Sequence, residues 1–171
     1  MRYWLFKSEP TSFSFDDLLA APGQTTGWDG VRNYQARNFL RDDVARGDLV
    51  FFFHSNTAPP FIAGIAEVVR DAHPDPTSFD PDSNHHDPSS SPNDPTWYQV
   101  EIRAVRRVDP PIPTSRLKPI PELAKMELLR RGSRLSIQPV RKLEWIAIMR
   151  LVEGAAASKS AHPKTSRKGR A

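Results

Sequence analysis

"GDLVFFFHSNTAPPFIAGIAEVVR", residues 47–70, decides the fold. A Gly-Asp turn leads into Leu49–Phe53, which is apolar at every position. A short unbroken apolar run bounded by turn residues reads as a strand buried on both faces. Phe61–Val69 reads as a second buried strand, and Gly64 inside it marks a bulge or the close approach of another backbone.

Further strands lie on either side. "RYWLFK" (2–7) is aromatic-rich. In "TWYQVEIRAVRRV" (96–108), Tyr98, Val100, Ile102 and Ala104 fall on one face and Gln99, Glu101 and Arg103 on the other. "RLSIQPV" (134–140) is a short strand interrupted by Pro139. Ser14 with Asp17 caps a short helix over "FDDLLA". Asn33 caps another that carries Ala36, Phe39 and Leu40. "PELAKMELLRRG" (121–132) predicts a helix striped by Leu123, Met126 and Leu129, and "KLEWIAIMRLV" (142–152) a mostly buried one. Strands do not alternate regularly with long helices, which disfavours a doubly wound parallel sheet. The expected class is α+β: a mixed sheet curled into a small open barrel, with short helices against its sides and rim.

At 171 residues, with 38% hydrophobic and 26% charged content, the chain suits one soluble domain. No apolar run approaches the ~20 residues that span a bilayer. "MRYWLFKSEP" is a poor signal peptide, so an intracellular, cytoplasmic location is expected, nuclear if the source is eukaryotic. The absence of cysteine removes disulfides, thiolate metal sites and cysteine nucleophiles. Of the 24 Lys and Arg, five follow Glu153, leaving 19 against 20 acids before it. The expected division is therefore a near-neutral domain at 1–153 and a disordered basic tail at 154–171. Lys159, Lys164, Arg167, Lys168 and Arg170 are its nonspecific phosphate contacts.

Residues 71–95 are dominated by Pro, Asp and Ser. They predict a long surface loop, mobile around 82–95 and dispensable for folding. His73, His85 and His86 lie there without ligand spacing, so neither a metal nor a cofactor is expected. No G-x-S-x-G, H-E-x-x-H or phosphate-binding glycine loop occurs. His54 and Ser55 are adjacent, but neighbours on a strand face opposite ways.

Aromatic residues offer the remaining chemistry. Trp97 and Trp145 sit in periodic segments and read as core; Trp4 can face either side of its strand. Trp28 is flanked by Gly27 and Gly30, outside any periodicity. It is either a lid packed on the body or a stacking surface, with Arg32 and Asn33 beside it to read the edge of a planar heterocycle.

"WLFKSEP" (4–10), "WDGVRNYQARNFLR" (28–41), "GDLVFFFHSN" (47–56), "IAGIAEV" (62–68), "DPTSFD" (75–80) and "RLSIQPV" (134–140) together resemble the EVE domain family over residues 1–152. The resemblance implies a PUA-like fold. It also implies a non-catalytic reader of modified bases in nucleic acid, chiefly modified cytosines in DNA, with RNA less favoured. Its base pocket maps onto Trp4, Lys7 and Ser8; Trp28, Val31, Arg32 and Asn33; His54, Ser55 and Asn56; and Ser136, Gln138 and Pro139. Two departures stand out. Phe53 replaces an expected tyrosine, removing a hydroxyl from the pocket's surroundings, and the loop at 84–91 is rich in His and Ser. The alternative is an enzyme acting on a modified base or RNA. Its best candidates are Lys7 and Glu9, more simply read as a phosphate contact and a partner for an arginine.

Overall fold

The computed structural model describes residues 1–161. Six strands form one mixed sheet: β1 (Tyr3–Ser8), β2 (Thr25–Gly27), β3 (Leu49–His54), β4 (Phe61–Pro74), β5 (Tyr98–Pro113) and β6 (Ile137–Val140). Their spatial order is β2-β5-β4-β3-β1-β6. Only the β1–β3 pair is parallel, running from Tyr3 opposite Leu49 to Ser8 opposite His54. A parallel pair needs a long crossover. Here it carries α1 (Phe15–Ala20), β2 and α2 (Tyr34–Asn38), with a π-helical turn at Phe39–Asp43. That crossover brings the tryptophan turn onto one face of the sheet. The edge strands β2 and β6 do not pair, so the sheet is not closed into a barrel.

The phenylalanine run is apolar because both faces of β3 are covered. Phe52 joins Trp4, Phe6, Phe15, Trp28 and Leu40 in one core. Phe51 and Phe53 join Leu5, Ile112, Leu123 and Trp145 in the other. Trp145 of α4 (Lys142–Ser160) stacks on Phe51 at 3.9 Å between ring centroids and on Tyr3 at 4.7 Å. A fully buried side chain of this size contributes about 1.5–3 kcal/mol. Gly64 does mark a bulge, but what approaches it closely is a side chain and not another backbone. The β3–β4 register slips beside it, and a Cβ there would lie 2.3 Å from the Phe15 ring.

The structure corrects four expectations. Residues 121–132 form no α-helix. Two 3-10 turns, Pro121–Leu123 and Glu127–Leu129, flank an extended Met126. At three residues per turn, this path still buries Leu123 and Met126. The strand expected over 96–108 runs on through the proline-rich "DPPIP" (109–113): pairing jumps from Gly64–Arg107 to Ile62–Ile112, and the residues between bulge out. Bulges tolerate proline because no ladder N–H is needed there. A short α3 (Thr114–Leu117) follows.

The boundary at 153 also moves. α4 continues to Ser160 through an alanine-rich turn, and Lys159 pairs with Asp109. Alanine is the best helix former, which explains the extension. Lys164, Arg167, Lys168 and Arg170 lie outside the described residues. Finally, β4 runs on to Pro74, and the loop after it is docked by Arg32 on the His85 carbonyl and Trp97 on Asp87.

Candidate nucleic-acid interface

One cavity of about 560 Å³ opens beside the crossover. Lys7 and Ser8 from the end of β1, Ser12 and Phe13 before α1, and Thr26 and Gly27 of β2 form part of its wall. The tryptophan turn, from Trp28 to Asn33, forms another part, and His85 and Ser136 complete it. Its volume is within the range of small-molecule sites, ~300–1,000 Å³.

The turn is held by its backbone. Trp28 N–H donates to the Val100 carbonyl at 2.7 Å, and Gly30 N–H donates to Asp75 Oδ2 at 2.9 Å. Gly30 has φ +74, and a Cβ there would meet the His85 ring at 2.7 Å. Trp28 is 7% exposed. It packs against Phe6 and, edge to face, against Phe52, each at 5.3 Å between centroids. Trp28 is therefore mostly core, although it also borders the cavity.

Asp75 is the hidden anchor. It is fully buried, at 0% exposed. Oδ2 accepts from Gly30 N–H and from Arg32 Nη1, and Oδ1 accepts from Thr77 N–H and from the Thr77 hydroxyl at 2.6 Å. Burial opposes its charge, but the bonds from Thr77, Gly30 and Arg32 outweigh it and lower the carboxyl pKa. Arg32 also donates to the Val31 carbonyl, to the Thr77 hydroxyl and twice to the His85 carbonyl. That employs all five guanidinium N–H groups. Arg32 thus builds the wall instead of reading a base edge, a correction to the expected role. Asn33 is divided: its Oδ1 caps α2 by accepting from Ala36 N–H at 2.9 Å, and its amide NH₂ makes no hydrogen bond among the described residues.

The two ionisable groups on the open wall behave differently. Burial lowers the Lys7 ammonium pKa, partly offset by the charge of Glu127. Asp29 is exposed by area, yet enough protein surrounds its carboxyl that burial raises the pKa, aided by Asp75 and opposed by His85 and Arg32.

Of the thirteen pocket residues expected from the sequence, the structure brings Lys7, Ser8, Trp28, Val31, Arg32, Asn33 and Ser136 together around this cavity. It places the others elsewhere. Trp4 and Pro139 border a second cavity of about 550 Å³ at the other end of β1, where buried Trp4 donates its indole N–H to Asp48 at 2.9 Å. His54 is buried. Its Nδ1 bonds the Ser8 carbonyl at 3.1 Å and its Nε2 accepts from Phe15 N–H at 3.3 Å, so the neutral ring ties β1 to α1. Burial lowers its pKa, which suits that neutral state. Ser55 and Asn56 follow it and do not border the cavity. Gln138 is buried on β6; its amide donates to the Leu135 carbonyl, and its Oε1 has no partner among the described residues.

Phe53 points into the opposite core, so a hydroxyl at that position would not reach the cavity. Glu9 is exposed, borders no part of the cavity, and has no arginine ion pair among the described residues.

The loop at 82–95 is tied to the domain. Its Asp87 accepts from Trp97 Nε1 at 2.7 Å, and its His85 carbonyl accepts from Arg32. Bonds from Ser89 and Trp97 hold the Asp87 carboxyl at about 2. Replacing 82–95 with a short Gly-Ser linker is therefore expected to lower Tm by several degrees and weaken ligand binding. Differential scanning calorimetry on the full chain checks this; an unchanged Tm would restore the dispensable-loop expectation.

Sequence reasoning missed Ser12, Phe13, Thr26, Asp29, His85 and Asp75. Asp29 stood inside the motif "WDGVRN", and Asp75 heads "DPT", an Asx-turn signal. Nothing in the sequence marked His85, because only the docked loop brings it across.

Fold and cavity together define a mixed-sheet α+β domain with a polar cavity bordered by Phe13 and Trp28. The EVE domain model matches residues 2–151, and the chain belongs to the EVE domain family. It is 44% identical to human thymocyte nuclear protein 1 over 168 residues, covering 88% of this chain and 74% of that protein. A protein of known structure from Pseudomonas syringae is 45% identical, with a TM-score of 0.83, covering 88% of this chain and 99% of that one. The structure of human thymocyte nuclear protein 1 (THYN1) in complex with 5-methylcytosine-containing DNA is 42% identical, with a TM-score of 0.84, covering 90% and 98%.

Proposed function

We propose that this protein is a non-catalytic, intracellular reader that takes a modified base, foremost 5-methylcytosine in DNA, into the cavity beside the tryptophan turn. The likeness to the human protein solved with 5-methylcytosine-containing DNA carries the reading. The cavity agrees with it: Trp28 borders it as a candidate stacking surface, and Lys7, Asp29 and Asn33 on its wall have free polar groups for the base edge. On this reading the curled sheet is the open barrel of PUA-like domains. The base is flipped out of the duplex, since a pocket can enclose a base and reach its pairing edge only outside the stack.

Matched oligonucleotides carrying cytosine, 5-methylcytosine, 5-hydroxymethylcytosine or methyladenine at one position test the reading. Tightest binding to 5-methylcytosine is expected; equal binding to all four overturns it.

Phosphate contacts beyond the tail come from the segment that leads into Ser136. Arg131 and Arg134 are exposed and have no ion pair among the described residues, whereas Lys159 is engaged with Asp109. Each phosphate contact contributes about −0.9 to the slope of log K against log salt. The double variant Arg131→Ala, Arg134→Ala should flatten that slope by about 1–2 without reordering the preferred bases. An unchanged slope would remove these arginines from the interface.

The enzyme alternative keeps one supporting observation, the lowered pKa of Lys7, which favours a nucleophilic amine. Mass spectrometry of nucleosides after incubation with modified oligonucleotides separates the two readings. Turnover that Lys7→Ala abolishes would replace the reader with an enzyme.

A further inference from the structure

Two charged side chains face the cavity without an ion-pair partner among the described residues: Lys7 and Asp29. The neighbouring charges are engaged, because Arg32 is paired with buried Asp75. Among the described residues, no other residue donates a hydrogen bond to the Asp29 carboxylate. It is nevertheless well positioned. The residue before it is fixed by the Trp28–Val100 bond and the residue after it by the Gly30–Asp75 bond. A carboxylate with open lone pairs on a fixed stretch of backbone, in surroundings that disfavour its charge, is a site awaiting an N–H donor.

The donor that arrives must also satisfy the rest of the wall. Asp29 only accepts when ionised, and Lys7 only donates. Asn33 has already used its oxygen on Ala36, so it too is left as a donor. A carboxylate and an ammonium on separate elements impose a polarity across the cavity. The pairing edge of cytosine is polarised the same way, with an amino donor at one end followed by two acceptors. Thymine presents acceptor, donor, acceptor, which is symmetrical; guanine needs more acceptors than this wall supplies. Carboxylates accept from the cytosine amino group in direct base readout.

Building on the reader function proposed above, we infer that Asp29 is the residue that selects the base, accepting the exocyclic amino group of cytosine and so separating 5-methylcytosine from thymine. Both bases carry the same 5-methyl group, so the pairing edge alone distinguishes them. The protein then rejects the deamination product of its own ligand.

Fluorescence anisotropy with duplexes differing at one position, 5-methylcytosine, thymine or cytosine opposite guanine, tests this. The parent should prefer 5-methylcytosine to thymine by roughly 5- to 150-fold. Asp29→Asn, whose amide both donates and accepts, should reduce that ratio at least about 5-fold. Comparing the ratio between parent and variant cancels the different flipping costs of paired and mismatched bases. It also cancels the general gain in DNA affinity from losing a negative charge. Asp29→Glu should recover part of the preference. A ratio preserved in Asp29→Asn, or a parent that binds thymine as well as 5-methylcytosine, overturns the inference. A parent indifferent between 5-methylcytosine and cytosine instead overturns the reader function itself.

Discussion

Asp75→Ala should destabilise the protein by about 3–5 kcal/mol, the range for removing one partner of a buried ion pair. The substitution leaves the Arg32 guanidinium without its anion, and Gly30 N–H and Thr77 N–H without their acceptor. Each stranded donor carries its own desolvation cost. In a chain of this length the loss corresponds to a fall in Tm of roughly 6–20 °C. Asp43→Ala is the control. It breaks the Arg2–Asp43 pair, whose side chains are 62% and 42% exposed, and such pairs contribute about 0–1 kcal/mol.

Acid gives the same test a sign. The folded-state pKa of Asp75 is lowered. Its stabilising contribution is complete above its unfolded pKa of about 3.9 and disappears as pH falls through the lower folded value. Asp17, Asp42 and Asp87 also have lowered values and add to the acid limb. Asp75→Asn should therefore show a shallower acid limb than the parent. Equal Tm in Asp75→Ala and the parent would mean that the turn is held without Asp75.

The contrast between Asp75 and the phenylalanine run shows what the sequence made legible. Strands β1, β3, β4 and β5 could be read because apolar side chains at every second or every position report burial directly. The caps at Ser14 and Asn33 were readable because a single side-chain acceptor satisfies a local N–H. The 3-10 turns at 121–129 were not: Leu123, Met126 and Leu129 are three apart, and that spacing fits either helix type. The docking of 82–95 was hidden for a different reason. Its anchors are polar, Asp87 to Trp97 and Arg32 to the His85 carbonyl, and polar long-range contacts leave no hydrophobic pattern.

The site divides along the same line. Motif resemblance supplied Lys7, Ser8, Trp28 and Ser136 at the cavity, but resemblance in sequence order does not say which end of a strand faces it. Trp4 and Ser8 belong to one strand, yet border different cavities about 550 and 560 Å³ in volume. The role of Arg32 could be decided only by counting its five donors in three dimensions.

Trp28→Ala should have the largest effect on binding, and it will act through two routes that must be separated. The ring is nearly buried between Phe6 and Phe52, so truncation leaves a large core cavity. Such truncations cost about 3–5 kcal/mol, enough to lower Tm by roughly 6–20 °C. The remaining folded protein should bind a 5-methylcytosine duplex about 5- to 150-fold more weakly, the range that 1–3 kcal/mol of lost base stacking implies. Trp28→Phe distinguishes the routes. It keeps an aromatic ring in the core while withdrawing the indole, so Tm should fall less than in Trp28→Ala. If the indole stacks on the base, Trp28→Phe should still weaken binding measurably at a temperature where its folded fraction matches the parent. If Trp28→Phe binds as tightly as the parent, the tryptophan serves the core alone. Base recognition would then rest on the polar groups of Lys7, Asp29 and Asn33, with Trp28 packing the core and its backbone holding the turn to Val100.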